Sequence, residues 1–394
     1  MTQCAMHFSC NPADPEFFQD PYPVYDEMRA LGPCFFWQEY GYWCFPGFHE
    51  VSELLRDGRF GREGVQRPVL PALNRFEKNS LLELNPPAHT RLRRLVNRAF
   101  VSRQVGKQKA RIGRLAHDLI DKFAHHGEVD LLTAYAQVIP VVVICELLGV
   151  STRMAEQLLE WSHNMVAIYE HSNDEGVERS ADKAASEFET FIKGEIEAKR
   201  ANPGEDLLSE LILVEEKGDR LNSDELVATC MLLLNAGHEA TVHGIGNSVK
   251  CILEQDVDVQ RWFASGETTG AVVDECLRFD PPLHMFTRHV REDLNYAGRD
   301  FKRGDVVGLM LGAANRDPGK FINAHEFDLE RGGVGHVSFS EGIHFCVGAP
   351  LARLELEVAL PVLFQRLPAI RLAQKPVYAD RYHFHGLERL DLSW

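Results

Sequence analysis

The stretch that most constrains the fold begins at Asn222-Ser223-Asp224-Glu225, a cap residue followed by acids in a first turn. The helix it opens extends to about residue 254, roughly 45 Å at 1.5 Å per residue, which is long enough to cross a domain. Its middle, Leu232-Leu233-Leu234-Asn235-Ala236-Gly237-His238-Glu239-Ala240-Thr241, is apolar yet holds a glycine, a histidine and an acid. A glycine there costs about 1 kcal/mol relative to alanine. An acid and a histidine are also costly to bury in so apolar a helix. Such a turn either faces solvent or forms a functional groove.

A second stretch, Phe339-Ser340-Glu341-Gly342-Ile343-His344-Phe345-Cys346-Val347-Gly348, reads as a loop and runs into the helical pattern of Ala349 to Glu357. A cysteine just before a helix meets free backbone N–H groups and the positive end of the dipole, and both favour a thiolate. Cys346 has three readings. It is an inert buried thiol, a nucleophile served by His344, or a haem ligand on a glycine-rich loop that lets backbone approach a porphyrin. Along an extended loop His344 points away from Cys346, which weighs against the nucleophile.

Composition excludes several classes. The net charge of −16 argues against a nucleic-acid partner. Nine cysteines, odd in number and without a CxxC pair, fit free thiols in a reducing compartment. Met1 to Pro12 lacks a signal-peptide pattern. The most apolar run, Val138 to Val150, is short and interrupted by Pro140 and Glu146, so nothing spans a bilayer. The 394 residues show no linker or repeat, and one domain over 1–394 is expected, in the cytoplasm.

Smaller signals lie between these. Residues 35–46 read as strands and 51–56 as a helix. Residues 61–84 read as a long loop, which in a compact domain is often functional. After Pro86-Pro87, His89 and Arg93 share one helix face, suited to a carboxylate or phosphate. Glu275 and Arg278 are spaced for one helix face. Leu283 to Arg288 reads as a strand with His284, Phe286 and Arg288 on one side. His383 to Leu387 reads as a turn.

The Cys346 loop resembles the haem-binding signature of the cytochrome P450 superfamily, F-G-x-G-x-H-x-C-x-G, through Phe339, Gly342, His344, Cys346 and Gly348, with Ser340 where glycine is usual. The remaining landmarks resemble that family in the same order. The resemblance implies a mainly α fold with small β-sheets (α+β), with the long central helix crossing haem b. It implies Cys346 as axial iron ligand and His89, Arg93 and Arg288 as propionate ligands. On the same resemblance Ala236 and Gly237 would give the haem and dioxygen room, and Glu239 would relay protons in the pattern [AG]-G-x-[DE]-T-[TS], with Ala240 in the usual threonine position and Thr241 one residue late. Glu275, Arg278 and Arg331 form a structural lock. The residues expected to touch substrate are Leu233, Ala236, Ala240, His284, Phe286 and Phe384, and the 61–84 segment should cover the pocket.

The function implied is monooxygenation of a mostly apolar small organic substrate by dioxygen. Electrons would come from a separate ferredoxin-type donor docking near Arg91, Arg94, Arg98 and Arg353. The chain is expected to be monomeric. A peroxide-driven peroxygenase and a haem-thiolate sensor remain as alternatives.

Overall fold

The computed structural model describes residues 6–394 except 63–69, 101, 170–174, 217, 256–258, 332 and 334. The chain forms two compact units. One comprises Met1–Arg62, His243–Cys346 and Ile370–Ser393; the other comprises Glu63–Val242, Val347–Ala369 and Trp394. Among the described residues no helix is long and apolar enough to cross a membrane.

The first unit is built on a six-stranded sheet, in spatial order His7–Phe8, Phe35–Trp37, Tyr42–Phe45, Val306–Leu309, Phe286–Val290 and Phe60–Gly61. These segments are rich in aromatic and β-branched residues, which suit a half-buried pleated surface. The strands expected over 35–46 form a hairpin with Trp37 opposite Tyr42. Leu309 lies opposite Phe45 on one side and Phe286 on the other. Helix Phe48–Arg56 places Val51, Leu54 and Leu55 on one stripe, and they join Phe45, Val307 and Leu309 in a single core cluster. Each such side chain contributes about 1.5–3 kcal/mol on full burial. The strand expected from Leu283 starts only at Phe286. Before it, Met285 turns into a separate aromatic cluster with Tyr22, Tyr25 and Tyr382.

The second unit is helical. Helix Ser102–Phe123 packs along helix Ala349–Arg366, and Tyr135 donates a buried hydrogen bond to the Ala359 carbonyl at 2.8 Å. Helices Ala155–Val166 and Glu175–Ala201 are joined by Trp161, whose indole donates to Glu187 at 2.9 Å and whose ring meets Phe188 edge-on. The expected loop over 61–84 is corrected here. Residues 71–79 form a helix with Pro71 in its first turn, a position where the missing N–H costs nothing. The free N–H groups of Ala72 and Leu73 both donate to Asp182 Oδ1, at 2.8 and 3.0 Å. The cap comes from a distant helix, so local sequence could not reveal it. The part of that segment from 63 to 69 lies outside the described residues.

The long helix spans Ser223–Leu253. Asn222 Oδ1 accepts from the Glu225 N–H and Glu225 Oε2 accepts from the Asn222 N–H, each at 2.9 Å, a reciprocal cap. The helix gives its residues through Val242 to the second unit and those from His243 to the first.

Candidate active site

The Cys346 loop belongs to the first unit and is tied down on both flanks. The Cys346 N–H donates to the Phe339 carbonyl at 2.9 Å, and the Ser340 N–H donates to the Val337 carbonyl at 2.8 Å. Glu341 Oε2 accepts from Ser52 Oγ at 2.6 Å and lies 3.4 Å from Arg56 Nε, which fastens the loop to helix Phe48–Arg56. Gly342 sits at φ +68°, and a Cβ there would come within 2.5 Å of the Leu55 carbonyl oxygen, so the close approach requires glycine. Residues Gly342–His344 form a tight 3₁₀ turn rather than the extended loop expected of them. Cys346 is half-buried, and its neighbours Ile343 and Phe345 are 45% and 41% exposed. No described cysteine forms a disulfide. Gly348 caps helix Ala349–Arg366, accepting from the Leu351 and Ala352 N–H groups.

Upstream of this loop lies the expected lock. Arg278 is 1% exposed and grips Glu275 with two bonds, at 2.7 and 2.8 Å. Arg331 Nε lies 3.2 Å from the same carboxylate, and the Asp328 N–H donates to it at 2.8 Å. The remaining Arg278 donors go to the carbonyls of Asn315, Ala324 and Glu326. A buried guanidinium satisfied in this way holds loop backbone in place; it is structure, not chemistry.

Also in the first unit, Arg288 is 3% exposed and donates to the Thr287 carbonyl at 2.9 Å. Phe286 and Phe384 are half-buried. His284 departs from expectation. It is fully buried, its Nδ1 lies 2.7 Å from Tyr25 Oη, and its ring stacks near His385. It packs in the aromatic core, and the strand expected to carry it begins two residues later.

In the second unit, helix Ala88–Ala99 carries His89 and Arg93. His89 is 1% exposed, and burial, followed by the Arg93 charge, pushes its imidazole down to about 4. A buried histidine beside an arginine is a ready cradle for an anion. Arg91, expected on the docking patch, pairs instead with Glu225 and with Asp219 at 3.1 Å. Arg94 and Arg98 remain exposed, and Arg353 is half-exposed.

The long helix exposes Ala236 and leaves Gly237 and Ala240 partly open on the stripe begun by Leu233. A Cβ at Gly237 would stand 3.0 Å from Ile144 Cδ1, so packing against helix Val138–Leu148 accounts for this glycine. Thr241 Oγ1 donates to the Gly237 carbonyl at 3.0 Å. Its hydroxyl is therefore spent on its own helix, and Ala240 supplies none. Glu239 is 3% exposed, with Oε1 3.0 Å from His163 Nε2 and 3.5 Å from His238 Nδ1. Burial pushes this carboxyl up, but the contacts with His163 and then His238 outweigh it and hold it well below the usual carboxylate range. His163 was not singled out from sequence. It comes from helix Ala155–Val166, and nothing in a single chain pairs it with Glu239.

These features fit a haem. The loop offers a held thiol beside exposed apolar side chains, and the cationic residues offer donors for carboxylates. The cytochrome P450 family model matches residues 47–260 and 267–373. The chain is 32% identical to the biotin biosynthesis cytochrome P450 of Bacillus subtilis (strain 168), over 99% of its own length and 100% of that protein. It is 36% identical to vitamin D(3) 25-hydroxylase of Pseudonocardia autotrophica, over 96% and 94%. Among solved structures, P450BioI in complex with hexadec-9Z-enoic acid ligated acyl carrier protein superposes with a TM-score of 0.91 at 32% identity, covering 96% of this chain and 100% of that one.

Proposed function

The chain belongs to the cytochrome P450 family and is a monooxygenase of that family, and from this premise we propose that it inserts one oxygen atom from dioxygen into a mostly apolar small organic substrate. The observation that carries the proposal is the Cys346 thiol, held by its own N–H on Phe339 O within a loop pinned through Glu341. We read residues 1–394 as one functional domain, because the family model runs across both units.

Haem b, when bound, would supply the oxidising chemistry, tuned by electron donation from the thiolate. Cys346 would ligate the iron, and His89, Arg93 and Arg288 would hold the propionates. Glu239 takes part in the proton relay as the carboxylate, accepting and orienting donors rather than storing a proton. With no hydroxyl at Ala240 and that of Thr241 bonded to Gly237, an ordered water or a substrate hydroxyl beside Glu239 takes the part of the usual threonine. Leu233, Ala236 and Ala240 present a small apolar face to substrate, and Phe286 and Phe384 add aromatic contacts. Electrons arrive from a separate ferredoxin-type donor, for which the exposed Arg94 and Arg98 and the half-exposed Arg353 are the cationic contacts. The absence of disulfides among the described cysteines supports a reducing compartment such as the cytoplasm.

The test is the absorption spectrum of the dithionite-reduced protein with carbon monoxide, beside Cys346→Ala. A red-shifted thiolate band, lost in the variant, is expected; a band of histidine ligation in the wild type would end the proposal. Because the groove lacks a free hydroxyl, a peroxide-driven reaction is the second reading. Product yield with hydrogen peroxide, against yield with a ferredoxin system, separates the two.

A further inference from the structure

Three side chains of the second unit converge outside the expected haem ligands. His163 and His238 each bring a ring nitrogen to Glu239 Oε1, at 3.0 and 3.5 Å, and all three ligand atoms lie within 4.8 Å of one another. Ligands about 2.0–2.2 Å from a tetrahedral zinc stand about 3.3 Å apart, so these two separations already match a coordinated ion. His238 is fully buried; its Nε2 has no hydrogen-bond partner among the described residues, and its Nδ1 has only the long 3.5 Å contact with Glu239. A buried imidazole left in that state loses the full desolvation cost of its polar atoms, unless something else accepts a lone pair. A cation does so. His163 has 42% of its side chain exposed, which gives an ion a way in and leaves a coordination position open to water.

We propose that His163, His238 and Glu239 form a binding site for a divalent transition metal, zinc being the natural probe for a two-histidine, one-carboxylate set. Both imidazoles would bind as the neutral ring and Glu239 as the carboxylate. Occupancy would engage the same carboxylate to which the proposed function assigns proton transfer, so bound zinc slows turnover; this regulatory part rests on that reading. Among the described residues the competing sites for zinc are the exposed pair His125 and His126, whose rings lie 4.0 Å apart, and the fully buried set Asp280, His284 and His385, which lacks the exposed histidine that gives an ion a way in.

The test is equilibrium dialysis of the holoprotein against zinc, with metal per chain read by atomic absorption and haem iron counted separately. The wild type is expected to retain one zinc, and so is the His125→Ala/His126→Ala variant. His163→Ala, a change at an exposed position, should weaken binding at least about tenfold. No stoichiometric zinc in the wild type, or affinity unchanged in His163→Ala, overturns the site. Zinc that binds as expected but leaves turnover unaltered upholds the site and counts against the proton role of Glu239.

Discussion

Ser340 stands at φ +61°, in the left-handed region, where the family signature usually has glycine. Replacing Ser340 with glycine should therefore stabilise the protein, and the size of the gain can be worked from two terms. A side chain in the left-handed region costs roughly 1–2 kcal/mol. Glycine returns about 0.5–1 kcal/mol of that through its larger loss of backbone freedom on folding. The second term is the hydroxyl. Ser340 is 4% exposed, and its Oγ has no hydrogen-bond partner among the described residues. Leaving such a group unsatisfied costs about 1–3 kcal/mol. Ser340→Gly should thus gain about 3 kcal/mol, and Ser340→Ala about 2 kcal/mol, since it removes the hydroxyl but keeps the strain. Urea unfolding at equal haem content is the assay, read as a higher midpoint with an unchanged slope. Equal midpoints for the glycine and alanine variants would show that φ at 340 carries no strain. A glycine variant at or below the wild type would refute the whole argument. The backbone bond from the Ser340 N–H to Val337 is retained in both, so the loop that holds Cys346 should persist.

Further outcomes follow from the same geometry. Glu275→Ala leaves the Arg278 guanidinium, 1% exposed, without its carboxylate; a loss of about 3–5 kcal/mol is expected in urea unfolding, and a loss under 1 kcal/mol would show that the loop carbonyls suffice. Burial first of all depresses His89, His383 and His385 to about 4 from 6.5. The unfolded chain then takes up protons before the folded one, so haem-free protein should keep this stability above pH 6.5 and lose it as pH falls toward 4; His89→Gln should flatten that limb, and an unchanged slope would contradict the burial argument. Arg91→Ala should leave the ferredoxin KM unchanged because Glu225 and Asp219 already pair with it, whereas Arg98→Ala, at an exposed position, should raise KM; equal effects in steady-state reduction would place Arg91 back on the docking surface.

The features legible in the sequence were those whose physics is local. The reciprocal cap at Asn222 and Glu225, the Glu275–Arg278 spacing and the loop ahead of helix Ala349–Arg366 each involve residues a turn or two apart. Backbone hydrogen bonding and helix periodicity dictate such contacts wherever the segment lies. The family signature around Cys346 is local in the same sense, and it was enough to identify the chemistry.

Contacts between distant segments had no such signal. Helix Pro71–Asn79 was missed because its cap is Asp182. Arg91 is paired because a second helix start carries Glu225, and His284 is enclosed because Tyr25 and His385 close around it. His163 gained its place only through Glu239. Periodicity and capping determined which residues this chain turns into helices and which thiol it presents. Tertiary packing alone decided which charges are already spent and which imidazoles meet a carboxylate, because those energies depend on the distance between segments that sequence order does not encode.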